Sequence, residues 1–228
     1  MICFLGTSHA ARHLKEAAIL KGAKVCEDPG DANVIFVSED TQTDEYGNRD
    51  LTKVRGLISI ATTFNVPIVL TSQVPPGFTR SLGIKDIFHQ AETLRIKDAE
   101  YRSMHPDYLI VGCDDPKQHT VLPDDYWNYL QSFHAPLVWG TYEDAEFSKI
   151  AVNMFLAAQV DATNRLSAAA AKCGATWEIV ADVLALDQRI GPNAYLTPGR
   201  WQDSAHLMRD AVTLKEIENF RPLEEECP

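Results

Sequence analysis

Three stretches combine residue types and spacing that chemistry can use. In "ICFLGTSHAA" an apolar run meets Gly6 and leads into a helical pattern. Gly6, Ser8 and Ala11 fall at the three small-residue places of a dinucleotide-binding turn. In such a turn the first Gly makes the bend, the second lets backbone approach a pyrophosphate, and the third lets helix and strand pack closely. Ala11 is small enough for the third place, whereas Ser8 adds a Cβ and a hydroxyl at the second. The helix start still offers N–H groups to an anion, and His9 adds a possible donor. The acid that would grip a ribose is Glu27 or Asp28, which come slightly early and just before a Pro-Gly pair. In "EFSKIAVNMF", Lys149 and Asn153 are four residues apart and share one helix face. In "PGRWQDSAHLMRD" the lone His206 is of a residue type that exchanges protons near neutral pH. A base, a group that positions an oxygen, and a nicotinamide are what one hydride transfer requires. Plainer roles exist for each: Lys149 as a partner of Glu143 or Glu146, Asn153 as a satisfied core amide, His206 as a surface residue.

The elements around these residues predict an α/β fold. "ICFLG", "AKVCED", "ANVIFVSED", "VPIVLTS", "IKDIFHQ", "DYLIVG" and "APLVWG" read as strands. Helical patterns alternate with them, including "ARHLKEAAILKG", "DLTKVRGLISIATTF" with Asp50 as N-cap, and "DDYWNYLQSF". Alternation of this kind implies a Rossmann-like, doubly wound, mostly parallel sheet buried on both faces. The character changes after Gly140. Residues 142–173 contain no Pro and no Gly, so they predict one long helix, roughly 45 Å from end to end. Its middle is apolar almost all round, which implies burial on several sides and a homodimer through this helix. Two shorter helices follow, separated by the Pro/Gly-rich loop. The expected organisation is a dinucleotide-binding domain over 1–140, a helical central and dimerisation domain over 141–220, and a frayed tail over 221–228. Tyr101, Trp127 and Trp139 read as packing residues.

Composition narrows the function classes. With 45% hydrophobic and 23% charged residues, the 228-residue chain can bury a sizeable core. A net charge of −11 argues against a broad nucleic-acid surface, so phosphate binding would be local. Five scattered cysteines without paired spacing argue against a disulfide framework and a zinc site, and suit a reducing compartment. The start shows no charged leader, and no apolar run is long enough to span a membrane. The expectation is a cytoplasmic protein with no membrane or nucleic-acid partner and no metal.

Four further stretches carry a resemblance. "TSQVPPGFTR" resembles the S-T-V-P-P-G-T-T-R segment of the UDP-glucose/GDP-mannose 6-dehydrogenases. "AETLRIKDAEYRSMHPDYLIVG" is similar to their P-E-F-L-R-E-G…P-D-R-I-V-I-G segment, and "AEFSKIAVNMFLA" to their A-E…K…A-N-A helix. "DQRIGPNAYLTPGRWQDSAHLMRD" follows their D-x-R-I-G…P-G-x-G-x-G-G-x-C-x-P-K-D loop. The segments keep the family's order and cover nearly the whole chain. The resemblance implies NAD as cofactor, held near Gly6, Ser8, His9, Ala11, Glu27 or Asp28, Ser72, Gln73 and Glu92. It implies a small-molecule substrate such as a nucleotide sugar. It also implies Lys149 as acid/base or oxyanion stabiliser, Asn153 on the same oxygen or an ordered water, Glu92 as the catalytic Glu, and Asp210 as the acid that closes the loop.

The departures from the pattern redirect the chemistry. The family oxidises an alcohol twice, and its second step needs a Cys thiolate that adds to the aldehyde. That Cys falls on His206, its preceding G-G on Asp203 and Ser204, its P-K on Met208 and Arg209, and the Thr of S-T-V on Gln73. The segment between strands two and three is shorter, and the family's second α/β domain has no counterpart in these residues. The expectation is an NAD-dependent oxidoreductase limited to one two-electron step at a C–OH centre. The alternative is an inactive homologue that binds a nucleotide or serves as a scaffold.

Overall fold

A computed structural model describes residues 1–44, 46–94, 98–117 and 122–217. The expected tail over 221–228, with Cys227, lies outside the described residues. The described elements are, in order, β1 (Ile2–Leu5), α1 (His9–Leu20), β2 (Val25–Cys26), β3 (Val34–Val37), α2 (Thr52–Thr62), β4 (Ile68–Leu70), α3 (Phe78–Ser81), β5 (Ile87–Gln90), α4 (Ala99–Met104), β6 (Leu109–Cys113), α5 (Asp124–Gln131), β7 (Leu137–Thr141), α6 (Tyr142–Cys173), α7 (Trp177–Leu186) and α8 (Ala205–Ile217). They fall into two compact units, 1–42 with 49–149 and 43–48 with 150–228.

The first unit is built on one sheet of order β2-β1-β3-β4-β5-β6-β7. Pairing is parallel except between β5 and β6. Strand residues alternate between the two faces. Ile2, Val34 and Phe36 join a core with Ala17, Tyr126 and Tyr129, on the side of α1 and α5. Cys3, Ile35 and Val37 join the opposite core with Val54, Ile58 and Phe78, on the side of α2 and α3. Apolar residues at every position of the central strands β1, β3 and β4 are what a sheet covered on both faces requires there. The strand order reverses between β1 and β3, and the crevice beyond their C-terminal ends is where α/β folds take ligands.

One element escapes a periodicity reading. Helix α3 is four residues long, too short to show a helical repeat. Its start is held from a distance by Glu146 of α6, which is 1% exposed and accepts from the N–H groups of Gly77 (2.6 Å) and Thr79 (2.8 Å). Burial raises the Glu146 pKa, and these N–H groups oppose the rise. Arg80 lies over the Tyr142 ring, forks onto Glu143 and also pairs with Asp114.

In the second unit α6 runs on unbroken to Cys173, giving 32 helical residues in all. Ala157, Val160, Ala170 and Leu214 are buried there. Residues 43–48 belong to the same unit, where a Cβ on Gly47 would sit 2.6 Å from Val212 Cγ2.

Within the chain itself Phe155 is 70% and Leu166 51% exposed, as are Ile179, Val183 and Leu186 on α7, so among the described residues no part of this chain covers these positions. The packing expected of three aromatic residues needs correction. Tyr101, Trp127 and Trp139 are exposed as well, Tyr101 stacking on His105. Apolar surface is common on folded proteins, so an aromatic residue is weak evidence of burial.

Candidate functional site

The glycine turn lies beside the ends of β3 and β4. Gly6 has φ +121°, and a Cβ there would fall 1.8 Å from the Ser38 carbonyl oxygen. Its lack of a side chain thus serves close approach to the backbone that follows β3. Ser8 is the N-cap of α1 and is 3% exposed. Its Oγ accepts from Ala11 N–H at 2.9 Å and donates to the Ser38 carbonyl at 3.2 Å. The hydroxyl therefore points into the protein, and Ala11 packs in the core as the third small residue should.

The group that faces the turn is a carboxylate. Glu39 Oε2 accepts from both Thr7 N–H (2.9 Å) and Thr7 Oγ1 (3.1 Å). Partial burial tends to raise the Glu39 pKa, but the N–H groups of Thr7 and Asp40 and the Thr7 hydroxyl outweigh it and hold it below the usual value. Glu39 N–H in turn donates to Ser72 Oγ at 2.8 Å, and Thr41 Oγ1 donates to the Gln73 carbonyl at 3.0 Å. Gly6, Ser8, Ser72 and Gln73 thus gather at one sheet edge. Glu39 is the residue the sequence reading missed, because its partner Thr7 is 32 positions away.

The remaining cofactor candidates point elsewhere. His9 turns to its own helix, with Nε2 3.1 Å from His13 Nε2. Glu27 is exposed and pairs with Lys15 at 2.6 Å. Asp28 caps the turn over Pro29–Asp31, accepting from Gly30 N–H at 2.8 Å. Glu92 follows β5, accepts from Leu94 N–H, and lines a small cavity with Thr71, Gln90 and Arg102.

The catalytic candidates on α6 and α8 divide between the units. Lys149 is half-buried. The two glutamates nearest it on its own helix are engaged elsewhere, Glu143 with Arg80 and Glu146 with Gly77 and Thr79. In the second unit Asn153 Nδ2 donates to Asp210 Oδ2 at 2.7 Å. Asp210 is fully buried, and Arg209 Nε lies 3.4 Å from its other oxygen. A carboxylate only accepts, so this contact identifies the Asn153 atom facing it as nitrogen and turns the amide oxygen away. His206 is exposed in the first turn of α8, one helical turn before Asp210.

The loop before α8 is fastened along α6. Asn164 Nδ2 donates to the Gly199 carbonyl (2.7 Å), and Asn164 Oδ1 accepts from Gly199 N–H (2.9 Å). Thr163 donates to the Tyr195 carbonyl at 2.7 Å, Gln159 accepts from Tyr195 N–H at 3.0 Å, and Trp201 Nε1 donates to Asp161 at 2.7 Å. Five contacts from one helix fix the path of a segment that has little regular structure of its own.

This helix and loop are also where known proteins match. Residues 143–219 match the UDP-glucose/GDP-mannose dehydrogenase family, central domain. Over this segment the chain is similar to the nucleotide-sugar dehydrogenases. It is 28% identical over 200 residues to the UDP-glucose 6-dehydrogenase TuaD of Bacillus subtilis, covering 82% of this chain and 42% of that protein. An uncharacterised protein of Methanocaldococcus jannaschii is 30% identical over 182 residues, 74% of this chain and 20% of that one. The chain thus spans less than half the length of these relatives. A UDP-glucose dehydrogenase from Pyrobaculum islandicum shares the fold, with a TM-score of 0.69 at 17% identity over 94% of this chain and 67% of that one. Among the described residues no helix is long and apolar enough to cross a membrane.

Proposed function

We propose that the protein is an NAD-dependent oxidoreductase that carries out one two-electron step at a C–OH centre of a nucleotide sugar or related substrate. The Asn153–Asp210 hydrogen bond carries this reading. It orients an amide that a substrate oxygen can use, through residues of α6 and α8 that are 57 positions apart. In this reading Asn153 offers its amide to the substrate oxygen or to an ordered water, and Asp210 keeps that amide from turning over. Lys149, with its neighbouring glutamates committed elsewhere, stabilises the oxygen as its proton moves. Glu92 and His206 are candidates to receive that proton. No thiolate stands at position 206, so the covalent second oxidation is not part of the reading.

The crevice beyond β1 and β3 has the backbone of a dinucleotide seat. Gly6 makes the bend, Ser8 is turned inward, and the first-turn N–H groups of α1 are of the kind that bind phosphate. Glu39 must leave Thr7 for a phosphate to take that donor. When bound, NAD supplies the hydride acceptor. The apolar side chains left exposed on α6 and α7, Phe155 and Leu186 among them, support a homodimer through these helices. A Phe155→Glu variant that sediments as the wild type does would remove that part of the reading.

A second reading has its own observation. With Thr7 satisfied by Glu39, the fold serves equally as a non-catalytic nucleotide-binding or scaffold homologue. Calorimetric titration of NAD and NADH separates the two. Saturable binding, followed by turnover that Lys149→Ala abolishes while the fold is kept, is the expected result. Binding of neither form, with the protein intact, selects the scaffold reading.

A further inference from the structure

The first turns of α1 hold a pair of imidazoles that the proposed reaction does not use. His9 and His13 are four residues apart on one helix face, with Nε2 atoms 3.1 Å apart. The rings meet edge to face at 63°, with centroids 4.4 Å apart. On the far side of the His13 ring, Glu16 Oε2 lies 3.7 Å from Nδ1. That nitrogen is buried and makes no hydrogen bond. The other ring nitrogen, Nε2, is the one that faces the His9 ring.

Two imidazole nitrogens bound to one ion at about 2.0 Å lie about 3.3 Å apart in a tetrahedral shell and about 2.8 Å apart in a square-planar one. The observed separation falls between these. We propose that His9 and His13 form a two-imidazole site for a divalent transition-metal ion, Zn²⁺ or Cu²⁺, with water completing the shell. Glu16 lies on the Nδ1 side of His13, outside the chelate, where its negative charge favours a cation nearby. Among the described residues no group of three or more His, Cys, Asp and Glu side chains could hold a metal. The site is therefore a helix-surface chelate that the ion enters from solvent, with His9 exposed. The alternative is a simple N–H···N hydrogen bond between the rings, which takes up no ion.

The test is a calorimetric titration of zinc chloride, and separately copper chloride, into the wild-type protein and into His9→Ala, His13→Ala and Glu16→Gln. One ion per chain is expected. Each alanine variant should weaken binding at least about tenfold, with a smaller loss in Glu16→Gln. The ion should raise the melting temperature of the wild type but of neither alanine variant. Far-UV circular dichroism confirms that α1 persists in each variant. No saturable binding to the wild type overturns the proposal, as does binding that survives either alanine substitution unchanged. The titration involves no nucleotide, so its outcome is independent of the proposed dehydrogenase function.

Discussion

The turn around Gly6 and the start of α8 both carry residues that the family resemblance marks, but they use them differently. At the turn, the protein's own groups meet the turn's needs: Glu39 takes the Thr7 N–H and hydroxyl, and Ser8 serves Ala11 and Ser38. At α8, Asp210 takes one N–H of Asn153 and leaves the rest of that amide to act elsewhere. One region keeps a backbone shape while its donors are satisfied internally. The other keeps a side-chain pair in which one contact sets how the amide is turned. The comparison teaches that a retained turn and a retained reaction are separate properties, and each can be broken separately.

The largest expected effect breaks the turn. Gly6→Ala places a Cβ against the Ser38 backbone at a φ that L residues rarely adopt. Backbone cannot rotate away as a side chain can, so a loss of about 4 kcal/mol or more is expected. Soluble yield and the midpoint of urea unfolding measure it. The corresponding break at α8 is Asp210→Ala, which removes a fully buried acceptor shared by Asn153 and Arg209. Removing one partner of a buried charged pair costs about 3–5 kcal/mol. A wild-type unfolding midpoint in Asp210→Ala would show that the contact contributes nothing to the fold.

How much of this could be read from the sequence differs between the same two regions. The sheet was legible because strands buried on both faces must be apolar throughout. The long helix was legible because residues 142–173 hold neither Pro nor Gly. The meeting of Asn153 with Asp210 was accessible only through resemblance, since no local spacing links residues 57 apart. Glu39 was missed because it ends an apolar strand, where an acid gives no periodic signal. The role of Glu146 was missed for a similar reason: spacing on its own helix suggested Lys149 as a partner, whereas the N–H groups of a four-residue helix 67 to 69 positions away claimed it. The exposed Tyr101, Trp127 and Trp139 show the reverse error, in which residue type was allowed to stand for position.

Asn164→Ala sharpens the α8 side of the comparison. It removes the two hydrogen bonds that clamp Gly199, leaving the other contacts between α6 and the loop in place. Two neutral, partly exposed hydrogen bonds are worth about 1–2 kcal/mol together. Hydrogen exchange of the amides around Gly199 should quicken while those of β1 and β3 are unchanged, because the two sets lie in different compact units. Equal quickening in both would mean that the units do not open separately.

The smallest effect in energy is the most informative about function. Glu39→Ala frees the Thr7 N–H and removes a negative charge from beside it. If Glu39 is what opposes a phosphate, NAD and ADP should both bind about tenfold more tightly, equivalent to about 1.4 kcal/mol. Glu39→Gln should give a smaller gain, since its amide oxygen can still accept from Thr7 while the charge is gone. The acid limb of stability provides an independent check. The folded-state pKa of Glu39 is lowered, so its stabilising contribution is present above the unfolded carboxylate value, about 4.3, and is lost as pH falls through the folded value. Glu39→Gln should therefore lower stability near neutrality and flatten its fall below about pH 4, so that variant and wild type converge in acid. A flattened curve without any gain in nucleotide affinity would assign Glu39 to the fold alone. Tighter binding of ADP as well as NAD would place the barrier at the phosphates rather than at the nicotinamide.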